Sequence, residues 1–233
     1  MLQDDIGVIG WQKNSFIDFP GTISTVLFFR GCNLRCPYCH NPDIVQNRLP
    51  FIPFSEILAF LKKRKRIIDG VVLSGGEPTL HEKLPLIIEV LRSRGLAVKL
   101  DTNGLQPDMI QLCNPDYLAL DIKTDPVFYN ELGCSMGDVS VQLRKSIDFV
   151  RSMGTQAEVR ITVAPTFVNE CKIRKIADLL QGVNVVYLQQ VEISENLLQS
   201  DYAKQVPLAL ETLESYRQIV SQKVGKCSIR GQE

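Results

Sequence analysis

Residues 26–42 read VLFFRGCNLRCPYCHNP, an apolar, strand-like run followed at once by a loop that carries three cysteines. Cys32, Cys36 and Cys39 lie within eight residues, with gaps of three and then two residues between them. Thiolates are the usual ligands of iron–sulfur clusters, and a four-iron cluster has four corners to fill. The loop therefore predicts a [4Fe–4S] cluster bound at three corners, with its fourth iron open to a ligand that is not protein.

A disulfide and a zinc site are the two alternatives for the same loop. A disulfide would leave one of the three thiols unpaired, and the N-terminal residues MLQDD lack the basic and apolar regions of a secretory signal. Structural zinc usually takes two ligand pairs with a two-residue gap, and the chain has no second CxxC pair. The spacing therefore favours the cluster.

The chain has 233 residues, of which 45% are hydrophobic and 22% are charged, and its formal net charge is +0. This size can bury a full core in one domain, and neither a linker nor a repeat interrupts the sequence. A balanced charge attracts neither nucleic acid nor an anionic membrane, and no apolar run reaches the roughly 20 residues of a membrane helix. We therefore expect one domain over residues 1–233, in the reducing cytoplasm, without a nucleic-acid or membrane partner.

Strand-like and helix-like segments alternate after an N-terminal extended segment, residues 1–21, which should pack on the main fold. Strands are predicted at 22–30, 70–74, 96–100, 117–122, 159–164 and 183–191, with a final extended piece at 227–229. Helices are predicted at 55–66, 82–94, from 107, at 138–153, up to about 180, and at 208–224. Ser55 is the predicted cap of the first helix. Six βα units in a row favour an α/β fold, an open, partial (β/α)6 barrel of the TIM type with helices outside, and a flavodoxin-like open sheet is the alternative.

Polar residues follow the ends of the predicted strands, where the active sites of such folds lie. The second strand is followed by residues 75–78 (GGEP), the third by 101–104 (DTNG), and the fourth ends at 121–123 (DIK). The fifth strand carries Arg160, and the sixth leads into residues 189–192 (QQVE). We expect these groups to converge on one face and to form the functional site.

The order of these motifs resembles a known family. A CxxxCxxC loop after the first strand and GGEP after the second are similar to the radical S-adenosylmethionine (SAM) superfamily. Residues 17–42 narrow the resemblance to the activating enzymes of glycyl radical enzymes. The chain length and the motif sequences are most similar to those of the activating proteins of anaerobic ribonucleoside-triphosphate reductase. The resemblance extends to about residue 165 and is weaker beyond it.

The resemblance implies a radical SAM activase. Its cluster would cleave SAM reductively to a 5′-deoxyadenosyl radical, which removes a hydrogen atom from a glycine of a partner glycyl radical enzyme. No side chain beyond the cluster ligands and the SAM contacts is then catalytic. The four other cysteines form no second cluster motif, so a separate flavodoxin or ferredoxin is expected to supply the electron.

The resemblance also implies a set of SAM contacts. These are Tyr38, His40, Gly75, Gly76, Glu77, Asp101, Thr102, Asp121 and Lys123. The two glycines would let the backbone approach the ligand, since they carry no Cβ. Tyr38 would contact the adenine, and Lys123 would neutralise the two aspartates. Whether a monovalent cation joins the aspartates is left open.

Several of these residues also have a purely structural interpretation. The GGEP segment fits a tight strand-to-helix turn, and Asp101 fits a cap of the turn at 103–104. Arg160 fits an ion pair with Glu158 or another nearby acid. The basic run 62–66 fits a helix end, with docking of an acidic electron carrier as the alternative.

The chain departs from the family pattern at the sixth strand, where no histidine is present to contact SAM. Gln190 or Glu192 is the candidate to replace it. Three other functions stay open. They are a different small radical SAM enzyme such as 7-carboxy-7-deazaguanine synthase, an iron–sulfur electron carrier without catalysis, and a zinc-binding structural module.

Overall fold

The computed structural model describes residues 4–231, and its strands form one mostly parallel sheet in chain order. The strands are β1 (Val8–Ser15), β2 (Ser24–Phe29), β3 (Gly70–Gly75), β4 (Ala97–Thr102), β5 (Tyr117–Ile122), β6 (Ala157–Val163), β7 (Val185–Gln190) and β8 (Lys226–Ile229). β1 pairs antiparallel with β2. The pairs β2–β3, β3–β4, β6–β7 and β7–β8 are parallel.

Helices connect the successive strands from β2 to β8. They are α1 (Pro42–Val45), α2 (Phe54–Lys63), α3 (Leu84–Arg92), α4 (Pro107–Cys113), α5 (Ser140–Met153), α6 (Glu170–Leu179) and α7 (Leu210–Ser221). The basic run 62–66 ends α2, in agreement with its interpretation as a helix end. Within residues 4–231, no helix has both the length and the apolar character that crossing a membrane requires.

The α/β fold class predicted from the sequence is confirmed. Six connections, each with a helix, join the seven strands from β2 to β8, as the count of six βα units predicted. A flavodoxin-like sheet would place its second strand outside its first, in the order 2-1-3-4-5. The strands here follow one another in chain order instead, which removes that alternative.

The described chain groups into two compact units whose segments interleave in the sequence. The first unit contains the chain up to Cys32, then Asn41–Thr102 and Asp108–Leu118. The second contains Asn33–His40, Asn103–Pro107 and the chain from Ala119 onward. The expectation of one domain stays a prediction.

Apolar residues at the period of each element explain why these segments fold as they do. Val71, Val72 and Leu73 of β3 are all fully buried, as expected for a parallel strand covered on both faces. In α3 the buried positions are Leu84, Ile87, Ile88 and Leu91, a spacing that places them on one helical face. Continuous runs and helical spacing are local patterns, and they predict these elements well.

The N-terminal segment packs within the first unit, as far as it is described. β1 joins the sheet beside β2, and the Ile52 N–H donates to the Val8 carbonyl at 2.8 Å. The predicted cap of α2 by Ser55 is wrong. Pro53 precedes the helix without a side-chain cap, and the Ser55 N–H donates to the Asp4 carboxylate at 3.0 Å. An acid that is distant in the sequence therefore accepts a hydrogen bond from an N–H of the first turn.

We expect Ile87→Ala to lower the free energy of unfolding by about 2–5 kcal/mol, because it leaves a cavity in a fully buried site. Leu86→Ala on the same helix is the matched control, since Leu86 is 46% exposed, and it should change stability by less than about 0.5 kcal/mol. Urea unfolding followed by circular dichroism measures both. Equal losses in the two variants would contradict the assigned helix face.

Candidate functional site

The predicted site residues fall into two groups, one in each compact unit. The first unit holds Cys32, Gly75, Gly76, Glu77, Asp101 and Thr102, and the second holds Cys36, Tyr38, Cys39, His40, Asp121 and Lys123. The residues of both groups lie at or just after the carboxyl ends of β3, β4 and β5, or in the cysteine loop after β2.

The glycine pair packs its backbone against the end of β2. The Gly76 N–H donates to the Phe29 carbonyl at 2.9 Å, and the Glu77 N–H donates to the Gly31 carbonyl at 2.8 Å. Gly75 has a φ of +114°, and a Cβ on Gly76 would lie 1.8 Å from the Gly31 oxygen. Glycine is therefore required at both positions by the turn itself, as its structural interpretation predicted.

Glu77 is buried and ties the turn after β3 to the end of β4. One of its carboxylate oxygens, Oε1, accepts hydrogen bonds from the Thr79 N–H at 3.1 Å and the Thr79 hydroxyl at 2.5 Å. The same oxygen accepts the Thr102 hydroxyl at 2.7 Å. The side chains of Glu77 and Thr102, both predicted to contact SAM, are thus partners of each other.

Asp101 lies in an ion pair that the sequence analysis did not single out. The Lys99 ammonium lies 2.5 Å from Asp101 Oδ1, and the Ser74 hydroxyl donates to Oδ2 at 3.3 Å. Lys99 is only 2% exposed, whereas the sequence predicts no more than a strand at this position. The signal was present in the spacing, because Lys99 and Asp101 are two residues apart on one strand and share a face.

The Asn103 side chain helps to close the turn after β4. The Asn103 side-chain oxygen accepts the Leu105 N–H at 3.1 Å, and its amide nitrogen donates to the Asn33 side chain at 2.7 Å. Asn33 lies in the cysteine loop, directly after Cys32. The turn residue therefore also positions part of that loop.

The cysteine loop is anchored by a segment that lies far away in the sequence. The Leu198 N–H donates to the Cys39 carbonyl at 3.0 Å, and the Gln199 N–H donates to the Pro37 carbonyl at 3.1 Å. A tight turn within the loop is closed by the Cys39 N–H and the Cys36 carbonyl at 3.0 Å. The sequence gives no signal for these anchors, since they are main-chain contacts.

Tyr38, within the cysteine loop, belongs to a buried group of aromatic rings. Its ring centroid lies 5.5 Å from that of Phe167 and 5.6 Å from that of Tyr202. The Tyr202 hydroxyl donates to the Pro165 carbonyl at 2.6 Å and so fixes the second ring. The Tyr38 ring, which lies between two of the cysteines in the sequence, is therefore packed against these two rings.

The Cys36 thiol lies in a buried and charged environment. Burial raises the pKa of Cys36, while the ammonium of Lys123 and the hydroxyl of Tyr38 act in the opposite direction. Burial also raises the pKa of Tyr38 well above its ordinary value, and the neighbouring Cys36 adds to this effect. Metals bind the thiolate form of cysteine, and the ammonium of Lys123 favours that form at Cys36.

Asp121 is held between two cations. Arg160 Nε lies 2.6 Å from Oδ1, and Lys123 Nζ lies 3.0 Å from Oδ2 and 3.1 Å from the Thr162 hydroxyl. Burial alone would raise the pKa of Asp121, but the two cations hold it well below its ordinary range. The same contact raises the pKa of Lys123 despite burial, which acts to lower it. The triad thus carries one net positive charge.

The structural alternative for Arg160 was an ion pair with Glu158 or another acid, and the partner is Asp121. Glu158 pairs instead with Arg230, whose Nη2 lies 3.1 Å from Oε1. At the end of β7, the side-chain oxygen of Gln190 is buried and has no hydrogen-bond partner among residues 4–231. Glu192 is exposed, so Gln190 is the better placed of the two candidates at this strand end. His40 is also exposed.

All seven cysteines lie within the described residues, and none of them forms a disulfide. Among residues 4–231, no three His, Cys, Asp or Glu side chains are grouped to hold a single metal ion. In a four-iron cluster each thiolate binds a different iron atom, so its ligands do not have to meet at one point. The lack of a single-ion group among these residues is therefore compatible with such a cluster.

Comparison with known proteins identifies the family. The family model described as the radical SAM superfamily matches residues 26–180, which include the cysteine loop and the ends of β3, β4 and β5. The chain belongs to the radical SAM superfamily. This confirms the resemblance drawn from the CxxxCxxC and GGEP motifs, and the protein is a radical SAM enzyme.

Similar curated proteins include activating enzymes. A protein of Methanocaldococcus jannaschii named as a glycyl-radical enzyme activating enzyme is 33% identical over 79% of this chain and 80% of its own length. The pyruvate formate-lyase-activating enzyme of Clostridium pasteurianum is 31% identical over 78% of each chain. A 7-carboxy-7-deazaguanine synthase of Aquifex aeolicus is 38% identical over a shorter match, 36% of this chain and 37% of its own.

Solved structures of low sequence identity share the fold. QueE from Escherichia coli covers 97% of this chain and 92% of its own, with a TM-score of 0.55 and 16% identity. Coproporphyrinogen III oxidase from Escherichia coli, a radical SAM enzyme, covers 85% of this chain and 52% of its own, with a TM-score of 0.55 and 11% identity. These likenesses support the predicted (β/α)6 fold class.

Radical SAM enzymes use SAM and a [4Fe–4S] cluster, and the donor set described here fits both. The cysteine loop offers three thiols for four corners, and Lys123 favours the thiolate form of Cys36. The buried hydroxyl of Tyr38 and the buried amide oxygen of Gln190 have no well-formed hydrogen bond among residues 4–231. Buried polar atoms normally find partners, so both fit contacts to a bound ligand.

We expect Gly76→Ala to lower the free energy of unfolding by about 3 kcal/mol or more, since its Cβ would overlap the Gly31 carbonyl. Gly95→Ala is the control. Its φ is +80°, yet nothing lies within 4 Å of an added Cβ, so only backbone strain of about 1 kcal/mol applies. Denaturant unfolding measures both variants. A smaller loss for Gly76→Ala than for Gly95→Ala would contradict the close backbone contact.

Proposed function

We propose that this radical SAM enzyme activates a glycyl radical enzyme. A [4Fe–4S] cluster held by Cys32, Cys36 and Cys39 would supply the one electron that cleaves the S–C5′ bond of SAM, giving methionine and a 5′-deoxyadenosyl radical that would take a hydrogen atom from a glycine Cα. The observation that carries the proposal is the match to activating enzymes over about four-fifths of both chains. The matched 7-carboxy-7-deazaguanine synthases align over less than half of this chain.

The three loop cysteines are the proposed cluster ligands. Cys32, Cys36 and Cys39 supply three thiolates, and the fourth iron is left to the amino and carboxylate groups of SAM. The anchors from Leu198 and Gln199 hold this loop against the β7–α7 connection. Their role is to fix the spacing of the thiolates before the cluster is bound.

The proposed SAM contacts differ in what their side chains can offer. The Asp121–Lys123–Arg160 triad, with its net positive charge, suits a carboxylate. Glu77 and Thr102 position the turn after β3, and backbone carbonyls near Gly75 and Gly76 are the groups we propose for the SAM ammonium. Tyr38 and His40 are the proposed contacts to the adenine, and Gln190 takes the place of the absent histidine. Asp101 is the remaining residue proposed to contact SAM.

The partner, reductant and location are further parts of the proposal. We propose anaerobic ribonucleoside-triphosphate reductase as the glycyl radical enzyme, because the motif sequences and the chain length resemble those of its activating proteins. Flavodoxin or ferredoxin would supply the electron, since the seven cysteines contain no second cluster motif. A reducing cytoplasm suits a thiolate-bound cluster. A single domain over residues 1–233 is proposed, with the family match spanning segments of both units.

A second candidate function is that of a 7-carboxy-7-deazaguanine synthase. It is favoured by the match to the Aquifex aeolicus synthase, which is 38% identical over 36% of this chain. Both candidates cleave SAM at a cluster, so cleavage alone does not separate them. The molecule that the radical attacks separates them. It is a glycine of a partner protein for an activating enzyme and a small pterin for the synthase.

Anaerobic reconstitution with iron and sulfide tests the chemistry. With dithionite and SAM, we expect 5′-deoxyadenosine to form, and Cys36→Ala to abolish it and to lose most of the bound iron. Cys171→Ala is the control, because Cys171 is exposed and lies outside the loop, and it should behave as the unchanged enzyme. A cluster that leaves SAM intact would instead indicate an electron carrier.

Electron paramagnetic resonance tests which protein receives the glycyl radical. After incubation with SAM, reductant and anaerobic ribonucleoside-triphosphate reductase, a glycyl doublet should grow on the reductase. Pyruvate formate-lyase in its place gives the comparison. No doublet on either protein, together with turnover of a pterin, would overturn the proposal in favour of the second candidate.

Lys123→Met is expected to weaken SAM binding about tenfold or more, because it removes a charge-assisted contact and leaves Asp121 with one cation fewer. Equilibrium binding to the reconstituted enzyme measures the effect. Lys204→Met, at a lysine with a 79% exposed side chain in the same unit, is the control. Unchanged affinity in Lys123→Met would remove the triad from the SAM site.

A further inference from the structure

Lys99 is a fully buried lysine in the first compact unit. It lies on β4 opposite Val72 of β3, and only 2% of it is exposed. Lysine is almost never buried this completely unless its charge is paired. Its partner is Asp101, whose Oδ1 lies 2.5 Å from the ammonium nitrogen, a short and charge-assisted contact.

Three side chains share this face at the carboxyl end of the unit's parallel strands. Lys99 and Asp101 alternate along β4, and Ser74 follows Val72 by two residues on β3, so all three point the same way. The Ser74 hydroxyl contacts the second carboxylate oxygen, Oδ2, at 3.3 Å. Both oxygens of Asp101 therefore already meet a protein donor, and one of these donors carries a full positive charge.

We propose that the Lys99 ammonium is a built-in monovalent cation of the SAM site, so that this enzyme requires no sodium or potassium ion at Asp101. The inference rests on the proposed function, because it takes Asp101 to be part of that site. An alkali cation and an ammonium group carry the same charge and both seek carboxylate oxygens. With Lys99 in place, an added cation would gain little at a neutralised carboxylate and would be repelled by the ammonium.

SAM affinity in three salts tests this assignment. Binding to the reconstituted enzyme is measured at equal ionic strength in potassium, sodium or choline chloride. We expect the unchanged enzyme to differ by less than about twofold among the salts, and Lys99→Met to bind about tenfold more weakly in choline chloride. Potassium or sodium should restore most of that loss. Lys65→Met, at an exposed lysine of the same unit, should follow the unchanged enzyme.

The melting temperature of the cluster-free protein is an independent measurement. The unchanged protein should melt at the same temperature in all three salts, whereas potassium or sodium should specifically stabilise Lys99→Met. Lys99→Arg keeps the charge and should show no salt preference. It also serves as the test variant if Lys99→Met does not fold.

Two results would overturn the inference. One is a requirement of the unchanged enzyme for potassium or sodium in SAM binding, and the other is a loss in Lys99→Met that neither cation restores. If SAM binds in none of the salts, the proposed function fails. The melting temperatures of the cluster-free variants then still decide whether Lys99 occupies a cation position.

Discussion

The structure of the first unit depends on a backbone contact that allows no side chain. The N–H groups of Gly76 and Glu77 bond to the carbonyls at the end of β2, and the Gly31 oxygen lies where a Cβ of residue 76 would have to be. This contact fixes the end of β3 beside the residue that precedes the first cysteine. Everything placed by that turn, including the Glu77 carboxylate and its bond to Thr102, follows from it. Glycine at this position thus serves the protein's own backbone before it serves any ligand.

Charge pairing is the second common feature of the two groups of residues. Asp101 is paired with Lys99 in one unit, and Asp121 is paired with Lys123 and Arg160 in the other. Each of these largely buried acids is balanced by at least one cation, since removal of the cation would leave a charge without compensation. Strand ends that carry paired charges present fixed dipoles and a defined net charge. A charged ligand meets an electrostatic environment that is already arranged and does not have to be formed on binding.

The sequence predicted those parts of the molecule whose signals are local. The apolar run of β3 and the spacing of Leu84, Ile87, Ile88 and Leu91 in α3 are readable from a few neighbouring residues. Ser55 was wrongly chosen as a cap because the true acceptor, Asp4, lies 51 residues away in the sequence. Lys99 was missed because a lysine in a strand suggests solvent, and only the packed structure shows that its face is buried. The motifs themselves identified the family, since their order along the chain is specific even where each is ambiguous alone.

The hydrogen bonds from Leu198 and Gln199 to the cysteine loop have a consequence for biogenesis. These two residues are synthesised 159 and 160 residues after Cys39. Until then, the thiols are exposed on a segment without its main-chain supports. Iron and sulfide delivered to the nascent chain before that point would therefore meet a loop that lacks two of its main-chain hydrogen bonds.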